Sequence, residues 1–366
     1  MKQLRAISVF AVALLWVGLS VWSWVKPADD ISTAERRKLT QIPVLDRQSW
    51  TNGSFTTDFE SYTTDQFPLR EEFRGLKSYF GRRLLLQKDM NGIYFYDGYA
   101  AQLQYPMNDA SLAHACSRLD WIYRRYLMDT NCHVYLSIVP DKHYFLAEMG
   151  GYPSLDYAAL FSRVQDQLSW ADMIDLSGSL TLEDYYRLDT HWRQEHLLPA
   201  ADVLCERLGI PLASGQAFRV TAIDVPFYGV YRGQMALNTA AETLYVLQSP
   251  VLDGCQVFNY ETNRNGRIYD ESKYTSRDLY DVYLSGATAL LRIDNPAAST
   301  ERELIVFRDS FGSSMIPLLV HGYKTITVVD IRYISPQILG NFLEFKDQDV
   351  LFLYSTILLN NSAAMK

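Results

Sequence analysis

The sequence predicts an α/β fold of three layers, a parallel sheet with helices on both faces and a β-rich insertion, preceded by one transmembrane helix. Two patterns predict it. An uncharged apolar run fills Ala6–Val25, and from about Tyr94 onward short apolar runs alternate with segments of helical spacing. The chain has 366 residues, 48% of them hydrophobic and 21% charged, which is enough apolar material for a substantial core.

The N-terminal run comes first. Twenty residues at 1.5 Å each span about 30 Å, the thickness of a bilayer core. Lys2 and Arg5 precede the run, and Asp29 and Asp30 follow it. The positive-inside bias then leaves the N-terminus in the cytoplasm and exports the rest, giving a single-pass protein of the cell membrane with an extracellular catalytic domain. A cleaved signal peptide would have a shorter apolar region ending in small residues, which "SVWSWVKPA" lacks, so an uncleaved anchor over 1–25 is expected. Residues 26–60 are polar and broken by Pro and Gly, and read as a stalk; 61–366 read as the catalytic domain.

"HVYLSIVPDK" is an apolar run ending in Pro, the pattern of a buried parallel strand. "DYAALFSRVQDQLSW" has helical spacing and "ADMIDLSG" reads as a strand. "THWRQEHLLPAADVLCERLGI" reads as a helix, with Pro199 an interruption and Gly209 its stop. "ELIVFRDS", "SSMIPLLVHG", "KTITVVDI" and "DVLFLYST" continue the alternation, and repeated β-α-β units imply an open parallel sheet. About 220–293 breaks the rhythm. Rich in Tyr, Thr and Asn, it reads as a β or irregular insertion.

Net charge is −8, so no basic face for nucleic acid is implied. Cys116, Cys132, Cys205 and Cys255 allow up to two disulfides in an exported protein, or four buried thiols, and no pair has C-x-x-C spacing. His191 and His196 are five apart, one residue off both zincin spacings, so no metal is expected, and no motif calls for a cofactor.

Asp189 lies two residues before His191, a spacing that lets a carboxylate hold one ring nitrogen while the other faces a nucleophile. In "LIVFRDSFGSSM" an apolar strand ends near Phe307 and Ser310 falls at the strand-to-helix crossing. Gly312 there permits an unusual backbone or a close approach, and the amides of a helix starting at this point would serve an oxyanion. Each element also reads as an ordinary helix cap, Asp189 before Thr190 and Ser310 before the next helix. Lys142 and Arg332, at strand ends, are candidates for substrate binding, or for ion pairs with Asp141 and Asp330. Tyr228, Tyr231, Tyr260 and Tyr269 could stack on sugar rings or pack within a sheet.

"LDTHW" together with "FRDSFG" resembles the SGNH-hydrolase-like proteins of the alginate O-acetyltransferase group (AlgJ/AlgX type) and their DHHW relatives from Gram-positive bacteria. "FESYTTDQFPLREEF", "NGIYFYDGYAAQL", "SIVPDKHYF", "PFYGVYRGQMAL" and "VVDIRY" extend the likeness over about 55 to 356. The resemblance implies a flavodoxin-like SGNH fold, a nucleophile at Ser310, a base at His191 and an orienting acid at Asp189. It further implies O-acyl transfer, expected to be of acetyl, onto a cell-surface or secreted polysaccharide, with a membrane-bound O-acyltransferase partner as donor. The same triad would serve a carbohydrate esterase, and the fold alone a glycan-binding or assembly component. Two positions depart from the family pattern: Thr190, where the DHHW subgroup has His, and Arg308, where a small residue is common. No stretch is left for the carbohydrate-binding module of the AlgX-like members, so glycan binding is expected of the core and insertion.

Overall fold

The computed structural model describes residues 2–366, without the side chains of Lys2 and Leu4, so the Lys2 flank of the expected span lies outside the described side chains. The chain divides into two compact units. One comprises Met1–Asn91 with Arg232–Thr239, the other Gly92–Tyr231 with Ala240–Lys366.

In the first unit the apolar run forms one helix, α1 (Lys2–Val25), whose stretch Arg5–Val25 is long and apolar enough to cross a membrane. Residues 26–60, expected as a stalk, carry a web of polar contacts and most of helix α2 (Ser54–Asp65); α3 (Arg70–Arg83) follows. The acid of "TTDQFPLR" explains the packing. Buried Asp65 takes two hydrogen bonds from the Arg37 guanidinium, at 2.8 and 2.6 Å, and one from the Thr40 amide. Those Arg37 bonds hold the carboxyl far below the usual range. Gln66 donates to the Asp29 carbonyl at 2.9 Å and accepts from the Asp29 amide at 2.8 Å. The polar composition here therefore serves ion pairing.

The second unit opens with a hairpin, Ile93–Tyr96 against Tyr99–Gln102. Its turn is Asp97-Gly98, both at positive φ, the geometry a two-residue hairpin loop requires. The central sheet has eight strands: β1 (His133–Val139), β2 (Asp172–Asp175), β3 (Gln256–Asn259), β4 (Arg264–Gly266), β5 (Leu290–Asp294), β6 (Glu303–Arg308), β7 (Thr325–Val329) and β8 (Asp349–Ser355). Their order is β4-β3-β5-β7-β6-β8-β1-β2. The run β7-β6-β8-β1-β2 is parallel, as expected. Beyond this parallel core, β5, β3 and β4 extend the sheet in antiparallel pairing. All three come from 220–293, so part of the insertion continues the sheet, while Arg219–Ala222 and Tyr245–Gln248 form a separate hairpin.

Alternation along the central strands builds two cores. Leu304 and Val306 of β6, with Leu351 and Leu353 of β8, face α7 (Leu198–Leu208) and the segment after Ser310. Ile305, Phe307, Val350 and Phe352 point the other way, under α4 (Asp109–Ile122), α5 (Lys142–Gly150) lying apart at the end of β1, and α6 (Tyr157–Gln167). Both faces being covered is why these strands read as continuous apolar runs.

The helix expected from Thr190 begins only at Leu198. Pro199 occupies its first turn, where a missing N–H is harmless, and does not interrupt it; Gly209 ends it at φ 64°. All four cysteines are free thiols, and burial pushes Cys116 and Cys255 up to about 11 and Cys205 up to about 12.

Candidate active site

His191 sits in a closed loop, not in the first turn of a helix. Tyr185 and Trp192 pair as a single antiparallel bridge, and the Tyr186 amide donates to the His191 carbonyl at 3.1 Å. Leu188, Asp189 and Thr190 form the tip. This puts Asp189 beside its own histidine: Oδ1 lies 2.6 Å from His191 Nδ1 and accepts the His191 amide at 3.1 Å. The other oxygen accepts the Val230 amide at 2.8 Å. A fully buried carboxylate facing Nδ1 fixes the tautomer with the proton there, leaving Nε2 as acceptor.

Ser310 follows β6 at the carboxyl end of the sheet, and its Oγ is 2.8 Å from His191 Nε2. The Trp192 indole ties the two loops together, donating to the Phe311 carbonyl at 3.1 Å and to Ser314 Oγ at 2.8 Å. Gln194 adds a second tie, from Nε2 to the Ser314 carbonyl at 2.8 Å. The structure thus brings Asp189, His191 and Ser310 into one hydrogen-bonded chain.

The helix expected after Ser310 is α-helical over Gly312–Met315 and continues as a 3-10 helix over Ile316–Gly322, and its first amides are already used. Phe311 donates to Asp309 Oδ1, Gly312 to the Asp309 carbonyl and Ser313 to the Ser310 carbonyl. Gly312 is therefore no free oxyanion donor. It has no positive φ either; its need is space, since a Cβ there would stand 2.7 Å from the Arg308 Cβ. Among the described residues none accepts the Ser310 amide, which is left as the available backbone donor beside Oγ.

Lys142 and Arg332 do not point at Ser310. Arg332 grips Asp330 with two hydrogen bonds, at 2.9 and 2.6 Å. Arg308, fully buried, donates to the Gly286 carbonyl at 2.9 Å and lies 3.6 Å from the same Asp330. Lys142 pairs with neither Asp141 nor solvent: Nζ donates to the carbonyls of Tyr186 and Arg187, at 2.7 and 3.1 Å. Glu242 accepts the amides of Arg187 and Leu188 at 2.8 and 2.9 Å. The two side chains clamp the strand that leads to Asp189. Burial pulls Lys142 down to about 7, against the field of Asp189, Glu242 and Asp141. Of the four tyrosines considered for stacking, Tyr231 is buried and Tyr269 bonds to Gln194 and the Leu247 carbonyl; Tyr260 packs on Phe258 and Phe342. Tyr228 stays exposed.

Sequence reasoning missed Tyr280. Its ring stacks on His191 and its hydroxyl meets Ser314 Oγ at 2.6 Å. Burial pushes the phenol well above its ordinary range. It missed Gly229 too, where a Cβ would lie 2.1 Å from the Leu188 carbonyl oxygen. The glycine in "PFYGVY" was the available signal: only a residue without a side chain lets the Val230 amide reach Asp189.

A family model described as "DHHW protein" matches residues 158–329. The chain is similar to the DHHW family. That matched stretch carries Asp189, His191 and Ser310, with Thr190 in the subgroup's second position. No curated protein matches. Among solved structures, a DHHW family protein from Eubacterium siraeum aligns with TM-score 0.61 at 19% identity, over 75% of this chain and 94% of that one. Bacillus cereus PatB1, solved with a sulfonyl adduct, aligns with TM-score 0.56 at 15% identity, over 73% of this chain and 97% of that one. The O-acetyltransferase domain of Pseudomonas putida AlgJ is more distant, with TM-score 0.46 at 13% identity, over 74% and 92%. At such identities the likeness to the DHHW protein and to PatB1 speaks to the fold, and it agrees with the SGNH-like α/β architecture.

Proposed function

We propose that the protein is an extracytoplasmic serine O-acyltransferase, transferring acetyl to a cell-surface or secreted polysaccharide. One observation carries the reading: the unbroken chain from the Asp189 carboxylate through His191 to Ser310 Oγ, with contacts of 2.6 and 2.8 Å. A serine hydroxyl is a weak nucleophile until a positioned base removes its proton, and this spacing is the one proton transfer needs.

In the first half-reaction His191 Nε2 takes the Ser310 proton as Oγ bonds to the donor's carbonyl carbon. The imidazolium, steadied by Asp189, returns that proton to the leaving group as the donor's acyl bond breaks, which leaves acyl-Ser310. The Ser310 amide is placed to donate to the developing oxyanion. In the second half a sugar hydroxyl gives its proton to Nε2 and attacks the ester carbonyl, and collapse restores Ser310. Water in place of the sugar gives an esterase, so the acceptor decides the activity. PatB1's sulfonyl adduct, in a similar fold, suggests a probe for the nucleophile. The donor is assigned to a membrane-bound O-acyltransferase partner, since α1 would hold this domain at the membrane. Arg5 before the span and Asp29 and Asp30 after it support export of the domain.

The full chain in detergent is treated with p-nitrophenyl acetate, then separately with phenylmethylsulfonyl fluoride, and its intact mass is measured. A single acetyl or sulfonyl addition is expected, lost in Ser310→Ala and much slowed in His191→Ala. Oligosaccharides should then divert acetyl from water. Absence of any addition would sink the reading.

A further inference from the structure

A second surface lies in the first unit. Helix α3 presents Phe73, Leu76 and Phe80, and its C-cap Leu84 follows, at spacings of three and four, which is one face of a helix, and all four are exposed. The opposite side is packed, with Ser78 and Gly81 buried. The face continues into a turn of three leucines, Leu84, Leu85 and Leu86, which are 64%, 70% and 77% exposed. Three adjacent leucines turned outward are an interaction surface, since scattered exposed apolar residues do not line up in this way.

Charge and tether identify what covers it. From Phe73 to Lys88 the chain carries five basic residues and no acidic one, although its net charge is −8. Arg74 of that set is paired with Glu35 and Glu71, while Lys77 and Arg83 flank the apolar face by helical spacing and Arg82 and Lys88 lie before and after the three leucines in sequence. An apolar stripe bordered by Lys and Arg is the composition of a helix lying in the headgroup layer of an anionic membrane. The tether is short. Three residues separate Val25, the end of α1, from Asp29, four Cα steps away, which is bonded at both amide and carbonyl to Gln66 at the end of α2. An extended chain of that length reaches roughly 14 Å. If α1 spans the bilayer, α2's end and the start of α3 cannot leave its surface.

We infer that α3 and the Leu84–Leu86 turn form an interfacial membrane-binding element that seats the first unit on an anionic lipid surface. The inference rests on α1 as a membrane span. The occupant is lipid, and neither a second copy nor a protein partner is required.

The full chain, carrying the photoreactive residue benzoylphenylalanine at Val12, Phe80 or Leu85, is reconstituted in nanodiscs of phosphatidylcholine and phosphatidylglycerol. It is irradiated and analysed by mass spectrometry. Lipid adducts at 80 and 85 are expected with yields within about tenfold of that at 12, and the yields at 80 and 85 should fall when phosphatidylglycerol is left out. Adducts at 12 but none at 80 or 85 would overturn the inference and leave the span standing. Cross-links between two copies at 80 or 85 would overturn it in favour of self-association. No lipid adduct even at 12 would remove the span and the inference with it.

Discussion

The ring of Tyr280 lies flat on the imidazole of His191, with centroids 3.9 Å apart and planes 8° from parallel. Phe311 closes another side at 5.3 Å, so aromatic carbon walls the base and restricts its rotation. The tyrosine is anchored in turn by Ser314, which also receives the Trp192 indole. One serine thus positions both the base's stacking partner and the loop that carries the base. Tyr280→Ala should slow acetylation of Ser310 by roughly 10- to 100-fold, because a displaced base costs that much in an oriented site. Tyr280→Phe keeps the stacking and should cost less. Stopped-flow acylation with p-nitrophenyl acetate measures both; equal rates for Ala and wild type would show that the ring does not position His191.

Asp189 holds the proton on Nδ1 through Oδ1 and takes the Val230 amide on Oδ2. In Asp189→Asn the amide nitrogen can face Nδ1, stabilise the other tautomer and place a proton on Nε2 where an acceptor is needed. Loss of acylation by about 10³- to 10⁴-fold is expected, the scale known for such a change in a serine protease triad. Near-wild-type rates in Asp189→Asn would show that the carboxylate only caps its loop.

Gly229 packs against the Leu188 peptide so closely that any Cβ would overlap it. Gly229→Ala should therefore push 229–230 away from Asp189 and break the Val230 contact. A loss of about 1–3 kcal/mol in stability is expected from forced overpacking, together with slower acylation. Denaturant melts and the acylation rate test this on one variant. A stable and active Gly229→Ala would mean that the approach relaxes at no cost.

How much of this was legible in the sequence depends on range. The parallel core was readable because both faces of β6 and β8 are covered, so burial wrote itself into runs such as "LIVF" and "VLFLY". Asp189 and His191 were readable because they are two residues apart and their contact is local. The loop carrying them reads as a helix, because "THWRQEH" has helical composition, while a Tyr185–Trp192 bridge overrides it. Tyr280 and Gly229 were hidden, since each matters only through a partner about 40 to 90 positions away that one sequence does not announce. Lys142 reads from its charge and place as a substrate binder or an Asp141 partner, whereas its ammonium faces two carbonyls of the chain itself. Nothing in local spacing tells a clamp from a ligand.

That clamp makes the last prediction, one of pH. Lys142 is buried, and burial pulls its ammonium down to about 7. Above that value the folded protein holds the amine neutral, still able to donate to the Tyr186 and Arg187 carbonyls. The unfolded chain keeps its proton up to the ordinary lysine range. Between the two the unfolded state binds more protons, so the lysine's contribution to stability rises with pH, by at most about 1.4 kcal/mol per pH unit. Below about pH 7 both states are protonated and the slope vanishes. Lys142→Met fills much of the same space without a titrating group. The unfolding free energy of wild type minus that of Lys142→Met should therefore grow by roughly 2 kcal/mol between pH 7 and pH 9, with other titrations cancelling in the difference. Acylation should separate the clamp from a substrate-binding role: Lys142→Met is expected to lower the maximal acylation rate, by loosening Asp189, with little change in half-saturation by small acyl donors. A stability difference that does not change with pH would mean that the ammonium stays charged in the folded protein. A variant that changed only half-saturation would return Lys142 to the substrate.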